Sequence, residues 1–389
     1  MKKKTRVIHQ PKVGLPEGNK PLVDPIYRSV KFTFPTIKAA LSVEACNEGF
    51  DYSRDANPTT RQLEKLCAEL QGRDDAICVA TGMAAAWLAV IANVQAGDRI
   101  VFFVEGYRPI RAMARERLVR FGVDFSMLSV HDHAAIATAF EDEATTLAIF
   151  EAPTNPMLQV PDIARIVDLA KQHGVTTVLD NTFGGLHNHG DFEVDFYVHS
   201  LTKYASGHGD VMGGAVIAND SGISWLKPWA INMGSTLDPD PAYLILRGLR
   251  TYYLRYEEHS RSALVIAEHL QRDPRVKRVC YPGLSNDPGH ELASRQMSEY
   301  GGVLSFDLDA DRDKTWKFID SLELFQTTSS VGSTDSLVAP VQLYFARDLS
   351  SEEQAVAGIM ETTVRLSVGL EHVDDLIADL DQALTTALG

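Results

Sequence analysis

Between residues 75 and 180, short segments that are apolar throughout alternate with amphipathic ones, and this alternation limits the fold more than any other feature of the sequence. Apolar segments of this length predict strands, and the amphipathic segments predict helices. The predicted strands are 76–80, 100–104, 147–150 and 175–179, the apolar run 196–198 beyond this region predicts a further buried strand, and the predicted helices are 82–94, 110–121 and 163–173. Strands without a polar face must be covered on both sides. We therefore predict an α/β fold with a mostly parallel sheet between two helical layers.

A second, smaller αβ unit is predicted after the alternation ends near residue 217. Its pattern comprises one long helix at 242–270, strands near 276–280, 303–308 and 364–368, and a closing helix at 372–388. We place three parts along the chain: an N-terminal arm (1–50), a large domain (51–245) and a small C-terminal domain (246–389). The arm has scattered Pro and Gly and one predicted short helix near 37–45, and such an arm needs a surface on which to lie.

Composition narrows the classes of partner. The 37 basic and 52 acidic side chains give a net charge of -15, which repels nucleic acid and anionic membranes. No apolar run approaches the roughly 18 residues of a membrane helix, and the N-terminus lacks the apolar core of an export signal. The four cysteines, Cys46, Cys67, Cys78 and Cys280, have no paired spacing, which favours reduced thiols. We expect a cytoplasmic protein that acts on a small molecule.

In an open α/β sheet, ligands bind beyond the carboxyl ends of the strands, so the residues that follow each predicted strand are the first candidates. Five such segments carry polar or aromatic side chains: Thr81-Gly82-Met83, Glu105-Gly106-Tyr107, Glu151 to Pro156, Asp180-Asn181-Thr182-Phe183, and Ser200-Leu201-Thr202-Lys203. Each alone has an ordinary explanation, such as a helix cap for Asp180 or a solvated surface charge for Lys203. Together they supply an anion site, an aromatic ring, an amide, a buried carboxylate and an amine.

This combination matches the needs of pyridoxal phosphate, which requires a Schiff-base lysine, a carboxylate opposite its pyridine nitrogen and a phosphate site. Eight motifs in one order also resemble the trans-sulfuration, or Cys/Met-metabolism, family of fold-type I pyridoxal-phosphate enzymes. The motifs are Tyr52-Ser53-Arg54-x-x-Asn57-Pro58-Thr59, Ala80-Thr81-Gly82-Met83, Glu151-x-Pro153-Thr154-Asn155-Pro156, Asp180-Asn181-Thr182-Phe183, His199-Ser200-x-Thr202-Lys203-Tyr204, Gly207-His208-x-Asp210-Val211-Met212-Gly213-Gly214, Leu246-Arg247-Gly248-Leu249-Arg250-Thr251 and Val364-Arg365-Leu366-Ser367-Val368-Gly369-Leu370-Glu371. The resemblance extends from about residue 20 to the C-terminus and implies an aspartate-aminotransferase-like fold.

The resemblance also implies a role for each matching residue. Lys203 would carry the cofactor as a Schiff base and transfer protons, Asp180 would pair with the pyridinium, and Tyr107 would stack on the ring and assist proton transfer to the leaving group. The phosphate would be held by Gly82, Met83, Ser200 and Thr202, with Tyr52 and Arg54 reaching in from a neighbouring subunit. The substrate carboxylate would be bound by Asn155, Ser330 and Arg365, with Asn155 also contacting the phenolic oxygen of the ring. Family members are usually tetramers built from two dimers.

Departures from the family pattern affect the substrate rather than the cofactor. Arg108 and Pro109 stand where a Gly-Gly pair is common, and Ser329 stands where Glu or Tyr is common. Residues 339–342 lack the expected His. A carbon–sulfur lyase that acts on cystathionine or a related sulfur amino acid by β- or γ-elimination is our leading interpretation. A γ-replacement enzyme of the cystathionine γ-synthase or O-acyl-homoserine sulfhydrylase type is the alternative, and a non-catalytic binding protein is the alternative from another class.

Two further motifs suggest other ligands but carry weaker signals. His187-Asn188-His189 with Asp191 offers fewer than the four ligands usual for structural zinc, and we predict no metal site. The segment Gly207-x-Gly209 lacks the spacing of a dinucleotide-binding fingerprint.

Overall fold

The computed structural model describes residues 2–6, 15–46 and 49–389. Residues 1, 7–14 and 47–48 and the side chains of Lys3, Lys4, Glu44, Ala45 and Cys46 lie outside this description, and with them parts of the predicted arm. The strands are β1 (Asp75–Val79), β2 (Arg99–Phe103), β3 (Asp124–Leu128), β4 (Thr145–Glu151), β5 (Thr176–Asp180), β6 (Phe196–Ser200), β7 (Gly214–Ala218), β8 (Val276–Cys280), β9 (Val303–Leu308), β10 (Gln326–Thr327), β11 (Leu337–Pro340) and β12 (Thr363–Ser367).

The helices confirm most of the sequence pattern, including the short helix in the arm. They are α1 (Lys3–Arg6), α2 (Ile37–Cys46), α3 (Pro58–Gln71), α4 (Gly82–Ile91), α5 (Arg108–Ala112), α6 (His133–Phe140), α7 (Ile163–His173), α8 (Asp220–Met233), α9 (Pro239–Leu249), α10 (Tyr252–Arg272), α11 (His290–Gln296), α12 (Arg312–Asp320), α13 (Val341–Tyr344), α14 (Ser351–Val356) and α15 (Val373–Leu388). After α5 the chain continues through a π-helical turn, Met113–Arg117, and a 3-10 turn, Leu118–Phe121, so the single helix predicted at 110–121 is wrong.

The described residues form a seven-stranded sheet in the order β1-β7-β6-β5-β4-β2-β3, which confirms the α/β fold. Strands β6, β5, β4, β2 and β3 run parallel, whereas β7 is antiparallel to both β6 and β1. The chain turns back from β6 into β7 without a crossover helix, and a direct return of this kind produces an antiparallel pair. Because β1 and β6 are both antiparallel to β7, β1 runs in the same direction as the other five, and all six parallel strands end at the same edge of the sheet.

Two apolar layers cover this sheet, as the unbroken apolar strands predicted. Val101 and Phe103 of β2 pack into one core together with α3 and α7, while Ile100 and Phe102 pack into the other with α4 and α8. Successive side chains of a strand point to opposite faces, so a strand buried on both faces must be apolar at every position. This packing holds the carboxyl ends of the strands in fixed positions.

A five-stranded sheet in the order β10-β11-β12-β9-β8 forms the core of the second unit. The predicted closing helix is confirmed, since α15 begins directly after His372, whose ring caps it. The predicted single helix at 242–270 is wrong, because the chain breaks between α9 and α10 at Arg250 and Thr251. Arg255 folds back over this break and donates hydrogen bonds to the Gly248 carbonyl and the Thr251 hydroxyl. Helix α10 packs against the large core at its start and the small core at its end.

Among the described residues, no helix has the length and apolar character needed to cross a membrane. The described side chains of Cys67, Cys78 and Cys280 are free thiols.

Candidate active site

A cavity of about 200 Å³ lies at the carboxyl ends of the parallel strands and contains most of the predicted site residues. Larger cavities of about 480 and 870 Å³ occur elsewhere, so volume alone does not identify the site. The cavity is lined by Thr81, Gly82, Met83, Ala86, Tyr107, Glu151, Pro153, Asn155, Asp180, Thr182, Phe183, Ser200, Thr202, Lys203, Met212, Ser329, Val331 and Arg365. The sheet edge and the central strand of the small sheet thus meet around one volume.

Lys203 lies in the turn that follows β6, and its side chain reaches into the cavity. The Nζ atom donates a hydrogen bond to the Ser330 hydroxyl at 2.9 Å. Burial lowers the pKa of Lys203 to about 8, the charge of Arg365 adds to this effect, and Asp180 opposes it. An amine with this pKa is neutral often enough near neutral pH to act as a nucleophile or a base.

Asp180 is the last residue of β5 and faces the cavity. Its Oδ1 accepts hydrogen bonds from the backbone N and the hydroxyl of Thr182, at 3.1 and 2.6 Å. Among the described residues, none donates to Oδ2. Burial raises the pKa of Asp180, although the Thr182 hydrogen bonds and the charge of Lys203 oppose the rise. A cation placed at Oδ2 would stabilise the ionised carboxylate, which is the environment that a pyridinium nitrogen provides.

The N-terminus of α4 forms the anion-binding end of the cavity. The Thr81 hydroxyl caps this helix by accepting from the Ala84 amide at 3.0 Å, which leaves the amides of Gly82 and Met83 without helical partners. A Cβ at Gly82 would lie 2.7 Å from the Cβ of Ser200, so only glycine lets the helix approach this strand end. The hydroxyls of Ser200 and Thr202 line the same end. Free amides, hydroxyls and a positive helix terminus suit a phosphate.

Arg365 is buried in the middle of β12, and its guanidinium points into the cavity from the small domain. It donates to the Asn155 side-chain oxygen at 2.9 Å and to the carbonyls of Ser329 and Ser330 at 2.8 and 3.1 Å. Its Nε atom is buried and has no partner among the described residues. Burial lowers the pKa of Arg365 to about 9, which indicates a cation that lacks a counter-charge. An incoming carboxylate would supply one.

Glu151 also lines the cavity, although it was not among the predicted site residues. Its Oε1 accepts a hydrogen bond from the Tyr107 amide, and its Oε2 accepts from the Asn155 amide at 3.2 Å. One carboxylate therefore fixes two walls of the cavity. Glu151 pairs in register with Asp180, and burial, together with that neighbour, raises the pKa of Glu151 well above its usual value. The available signal was a carboxylate that ends an apolar strand, as Asp180 does.

Tyr107 and Ser330 occupy positions that fit their predicted roles. Tyr107 is half-buried in the cavity wall, and burial and Glu151 raise the pKa of its phenol, which therefore keeps its proton at neutral pH. The Ser330 hydroxyl contacts the Lys203 amine instead of lining the open volume, and its carbonyl accepts from Arg365.

Tyr52 and Arg54 lie outside this cavity. The Arg54 guanidinium packs over the Tyr52 ring at 5.0 Å, and Arg54 lines the separate cavity of about 480 Å³ beside α3. Their role as phosphate ligands for a neighbouring subunit stays a prediction. The histidines considered as metal ligands contact protein groups instead: His187 pairs with the Tyr252 hydroxyl and His189 with the Asn181 side-chain oxygen, at 2.8 and 2.7 Å.

The residues around the cavity fit pyridoxal phosphate in three independent respects. Asp180 has a carboxylate oxygen without a donor, the start of α4 has free amides, and Lys203 is an amine of lowered pKa within the same volume. Asp180 would hold the pyridine nitrogen, the α4 terminus with Ser200 and Thr202 would hold the phosphate, and Lys203 would bind the aldehyde carbon.

Comparisons with known proteins agree with this geometry. A family model described as Cys/Met metabolism PLP-dependent enzyme matches residues 4–385. L-methionine gamma-lyase of Pseudomonas putida is 36% identical over 98% of this chain and 96% of its own length. The structure of cystathionine gamma synthase from Xanthomonas oryzae pv. oryzae in complex with cystathionine superposes with a TM-score of 0.88, 34% identity and coverage of 93% and 92% of the two chains.

A putative O-acetylhomoserine (thiol)-lyase from Campylobacter jejuni, solved with a pyridoxyl-lysine, gives a TM-score of 0.88 at 30% identity over 93% of this chain and 95% of that chain. These matches span almost the whole sequence, and they include lyases as well as synthases. The chain belongs to the Cys/Met metabolism family of pyridoxal-phosphate-dependent, trans-sulfuration enzymes, with pyridoxal 5'-phosphate as its cofactor.

Proposed function

We propose that this protein is a carbon–sulfur lyase that cleaves cystathionine or a related sulfur amino acid by β- or γ-elimination. The supporting observation is the pairing, in one cavity, of Lys203 as a base of lowered pKa with Arg365 as a cation without a counter-charge. An α-amino acid has a carboxylate for the cation and an α-proton for the base. The products of elimination are a thiol, ammonia and a 2-oxo acid.

The chain's own residues account for binding and proton transfer. Arg365, held by the Asn155 side chain, binds the substrate carboxylate and so fixes the position of the α-carbon. Lys203 removes the α-proton at Nζ, and the Ser330 hydroxyl orients that atom. When bound, pyridoxal phosphate supplies an electron sink for the charge that develops at the α-carbon, and the negative charge of Asp180 supports that capacity.

Tyr107 is the proposed acid for the departing sulfur. Burial and Glu151 keep its phenol protonated at neutral pH, because both raise its pKa. A protonated phenol in the cavity wall can donate to a thiolate as the carbon–sulfur bond breaks. The charges of Arg365 and Arg108 partly oppose this rise in the pKa of Tyr107.

The second candidate is γ-replacement, in which a thiol adds to an activated homoserine. The likeness to cystathionine gamma synthase across 93% of the chain favours it. Elimination and replacement use the same base and the same cofactor, and they differ in whether a second substrate enters before the product leaves. A non-catalytic binding role is disfavoured because Lys203 and Asp180 both face the cavity.

A panel of sulfur amino acids, assayed for thiol, 2-oxo acid and replacement products, tests the proposal. We expect the wild-type protein to release thiol and 2-oxo acid from cystathionine or a related substrate. The Lys203→Ala variant should form neither product and should also lack the absorbance band of the lysine-bound cofactor. Turnover of an activated homoserine with a thiol donor, and of no sulfur amino acid alone, would instead establish γ-replacement. A wild-type protein without the absorbance band after addition of cofactor would contradict both.

A further inference from the structure

The guanidinium of Arg111, in α5, is almost completely buried and makes five hydrogen bonds. On the large-domain side, Nη1 donates to the carbonyls of Val104, at 3.2 Å, and Gly106. Both carbonyls belong to the short segment between β2 and Tyr107. Arg111 therefore holds the backbone directly before the aromatic residue of the cavity wall.

On the opposite side, the same guanidinium donates hydrogen bonds to a loop that precedes α14. Its Nε and Nη2 donate to the two carboxylate oxygens of Asp348 at 3.0 and 2.9 Å, and Nη2 also donates to the Phe345 carbonyl at 2.6 Å. These contacts use all five N–H donors of the side chain. The planar fork of arginine suits the bidentate contact with Asp348, which a lysine cannot reproduce.

The loop held by Arg111 carries the residue that supports Arg365. The ring of Phe345, itself buried, packs on the Arg365 guanidinium with 4.2 Å between the Arg365 Cζ atom and the ring centroid. This contact leaves the unpaired Nε of Arg365 in a buried position. A shift of Phe345 would therefore move or release the cation that the proposed function assigns to the substrate carboxylate.

Arg108 and Pro109, which depart from the family pattern, lie beside this contact, and the Nε atom of Arg108 is 3.6 Å from Oδ1 of Asp348. Pro109 lies in the first turn of α5, a favoured position, so the helix begins directly after Tyr107. One turn later this helix presents Arg111 to Asp348. Arg115 adds a hydrogen bond to the Asp348 carbonyl at 2.5 Å and an ion pair with Glu353. Asp348, whose carboxylate Arg111 binds through two atoms, is thus the centre of this group of charged side chains.

We infer that Arg111 is a positioning residue that sets the carboxylate-binding geometry of Arg365 through Phe345. The same side chain also holds the backbone directly before Tyr107. The inference rests on the carboxylate-binding role of Arg365 in the proposed function. Arg111 itself stays outside the cavity lining. Replacement of Arg111 should therefore change the affinity for ligands that carry a carboxylate relative to ligands that lack one. It should not change whether the site holds its cofactor.

The test compares two amines that bind the holoenzyme, each titrated by the change in cofactor absorbance. Glycine carries the carboxylate that Arg365 would bind, and methylamine lacks it. In Arg111→Lys we expect the glycine Kd to rise about tenfold or more, as for loss of a charged hydrogen bond, while the methylamine Kd stays within about twofold. The cofactor absorbance band should be retained.

Phe345→Leu provides the second variant, because it removes the ring but keeps the carbonyl that Arg111 binds. It should also raise the glycine Kd selectively. In the double variant the fold-increase in glycine Kd should be smaller than the product of the two single increases, because both residues act on Arg365 through the same contact. Arg99→Lys is the matched control: Arg99 lies on β2 at the end away from the cavity, pairs with Asp124 and Asp142, and should leave both Kd values unchanged.

Equal losses for glycine and methylamine in both variants would show a general structural role and overturn the inference, as would unchanged glycine binding. If Arg111→Lys does not fold, Phe345→Leu decides alone. The titration exchanges the added amine for Lys203 at the cofactor and needs no carbon–sulfur bond cleavage, so its outcome is separate from that of the lyase proposal. A wild-type protein that binds methylamine as tightly as glycine would remove the premise about Arg365 and would likewise overturn the inference.

Discussion

At the scale of single residues, burial is the main cause of the unusual acid–base properties of the cavity. It lowers the pKa of Lys203 to about 8 and that of Arg365 to about 9, and it raises the pKa of Asp180. Burial disfavours the charged form of each group, so an opposite charge on a ligand would stabilise the charged forms of Asp180 and Arg365. A ligand with a pyridinium for Asp180 and a carboxylate for Arg365 meets both needs. The cavity is therefore electrostatically complementary to the cofactor together with an amino acid.

The lowered pKa of Lys203 predicts how fast the apoenzyme takes up pyridoxal phosphate at different pH values. Attack on the aldehyde needs the neutral amine, which becomes the main form above pH about 8 here but only above about 10.4 for an ordinary lysine. We expect the rate of appearance of the absorbance band to rise about tenfold per pH unit below that value and to level off above it. A rate that still increases steeply between pH 9 and 10 would show an ordinary lysine.

Replacement of Glu151 tests whether the two hydrogen bonds that its carboxylate accepts hold the cavity wall. Glu151→Ala leaves the amides of Tyr107 and Asn155 unpaired and should lower the free energy of unfolding by about 2 kcal/mol, with a clear loss of kcat/KM. Glu151→Gln keeps one acceptor and should lose less than about 1 kcal/mol. Chemical denaturation and steady-state kinetics measure the two effects. Equal effects of Gln and Ala would argue against the hydrogen bonds as the function of this side chain.

At the scale of elements, local pattern was sufficient where an element is amphipathic or apolar along its whole length. Helix α7 lies where it was predicted, and the strands of the parallel sheet agree to within one or two residues. The break between α9 and α10 was not predicted because its stabilising contacts come from the fold. Arg255 bonds back across it, and a Cβ at Gly248 would lie 2.2 Å from the Ser206 carbonyl.

The candidate site likewise contains residues that could be predicted from the sequence and residues that could not. Residues at strand ends were predictable because parallel topology brings them to one edge, and those predicted within one chain, apart from Ser330, line the cavity. Glu151 was named only as part of a candidate segment and was given no role, and Arg111 was not predicted, because both act by holding backbone atoms of other segments. The strands β3, β10 and β11 were also missed: β3 is a partly exposed edge strand, and β10 has only two residues. Such features depend on tertiary contacts that periodicity does not record.

The approach of helix α4 to the end of β6 provides a test at this scale. Gly82→Ala would place a Cβ 2.7 Å from that of Ser200 and push the helix N-terminus away from the phosphate site. We expect the Kd for pyridoxal phosphate to rise about ten- to a hundredfold, as for an overpacked contact of about 1–3 kcal/mol. Equilibrium titration of the apoenzyme measures it.

The matched control for Gly82→Ala is Gly174→Ala at the end of α7. Gly174 has a φ of +69°, and no atom of the described residues lies within 4 Å of the place that a Cβ would occupy, so the change adds backbone strain without a clash. It should cost about 1–2 kcal/mol of stability and leave cofactor affinity unchanged. If both variants weaken cofactor binding equally, the close approach of α4 to Ser200 is not what shapes the phosphate site.

At the scale of the whole molecule, the cavity draws on both units of the chain. Asp180 ends strand β5 of the large sheet and Lys203 lies in the turn after β6, whereas Arg365 comes from the small sheet, and helix α10 packs against both cores. Tyr52 and Arg54 are the predicted phosphate ligands that do not join them, since they lie beside α3. The arm next to them presents exposed apolar side chains, such as Leu22 at 98% exposure. A second subunit would supply a surface for the arm and a cavity for Arg54.

Mixing two inactive variants tests this shared site directly. Lys203→Ala lacks the base but keeps Arg54, whereas Arg54→Ala keeps the base but lacks the proposed phosphate ligand for its neighbour. In a mixed dimer, one site combines an intact Lys203 with an intact Arg54 from the other subunit. After unfolding and refolding together in equal amounts, half the dimers are mixed and each has one complete site, so activity should recover to about a quarter of wild type. The separately refolded variants should stay inactive. Because a site confined to one chain cannot be restored by another chain, an inactive mixture of well-folded dimers would place the function of Arg54 within its own subunit.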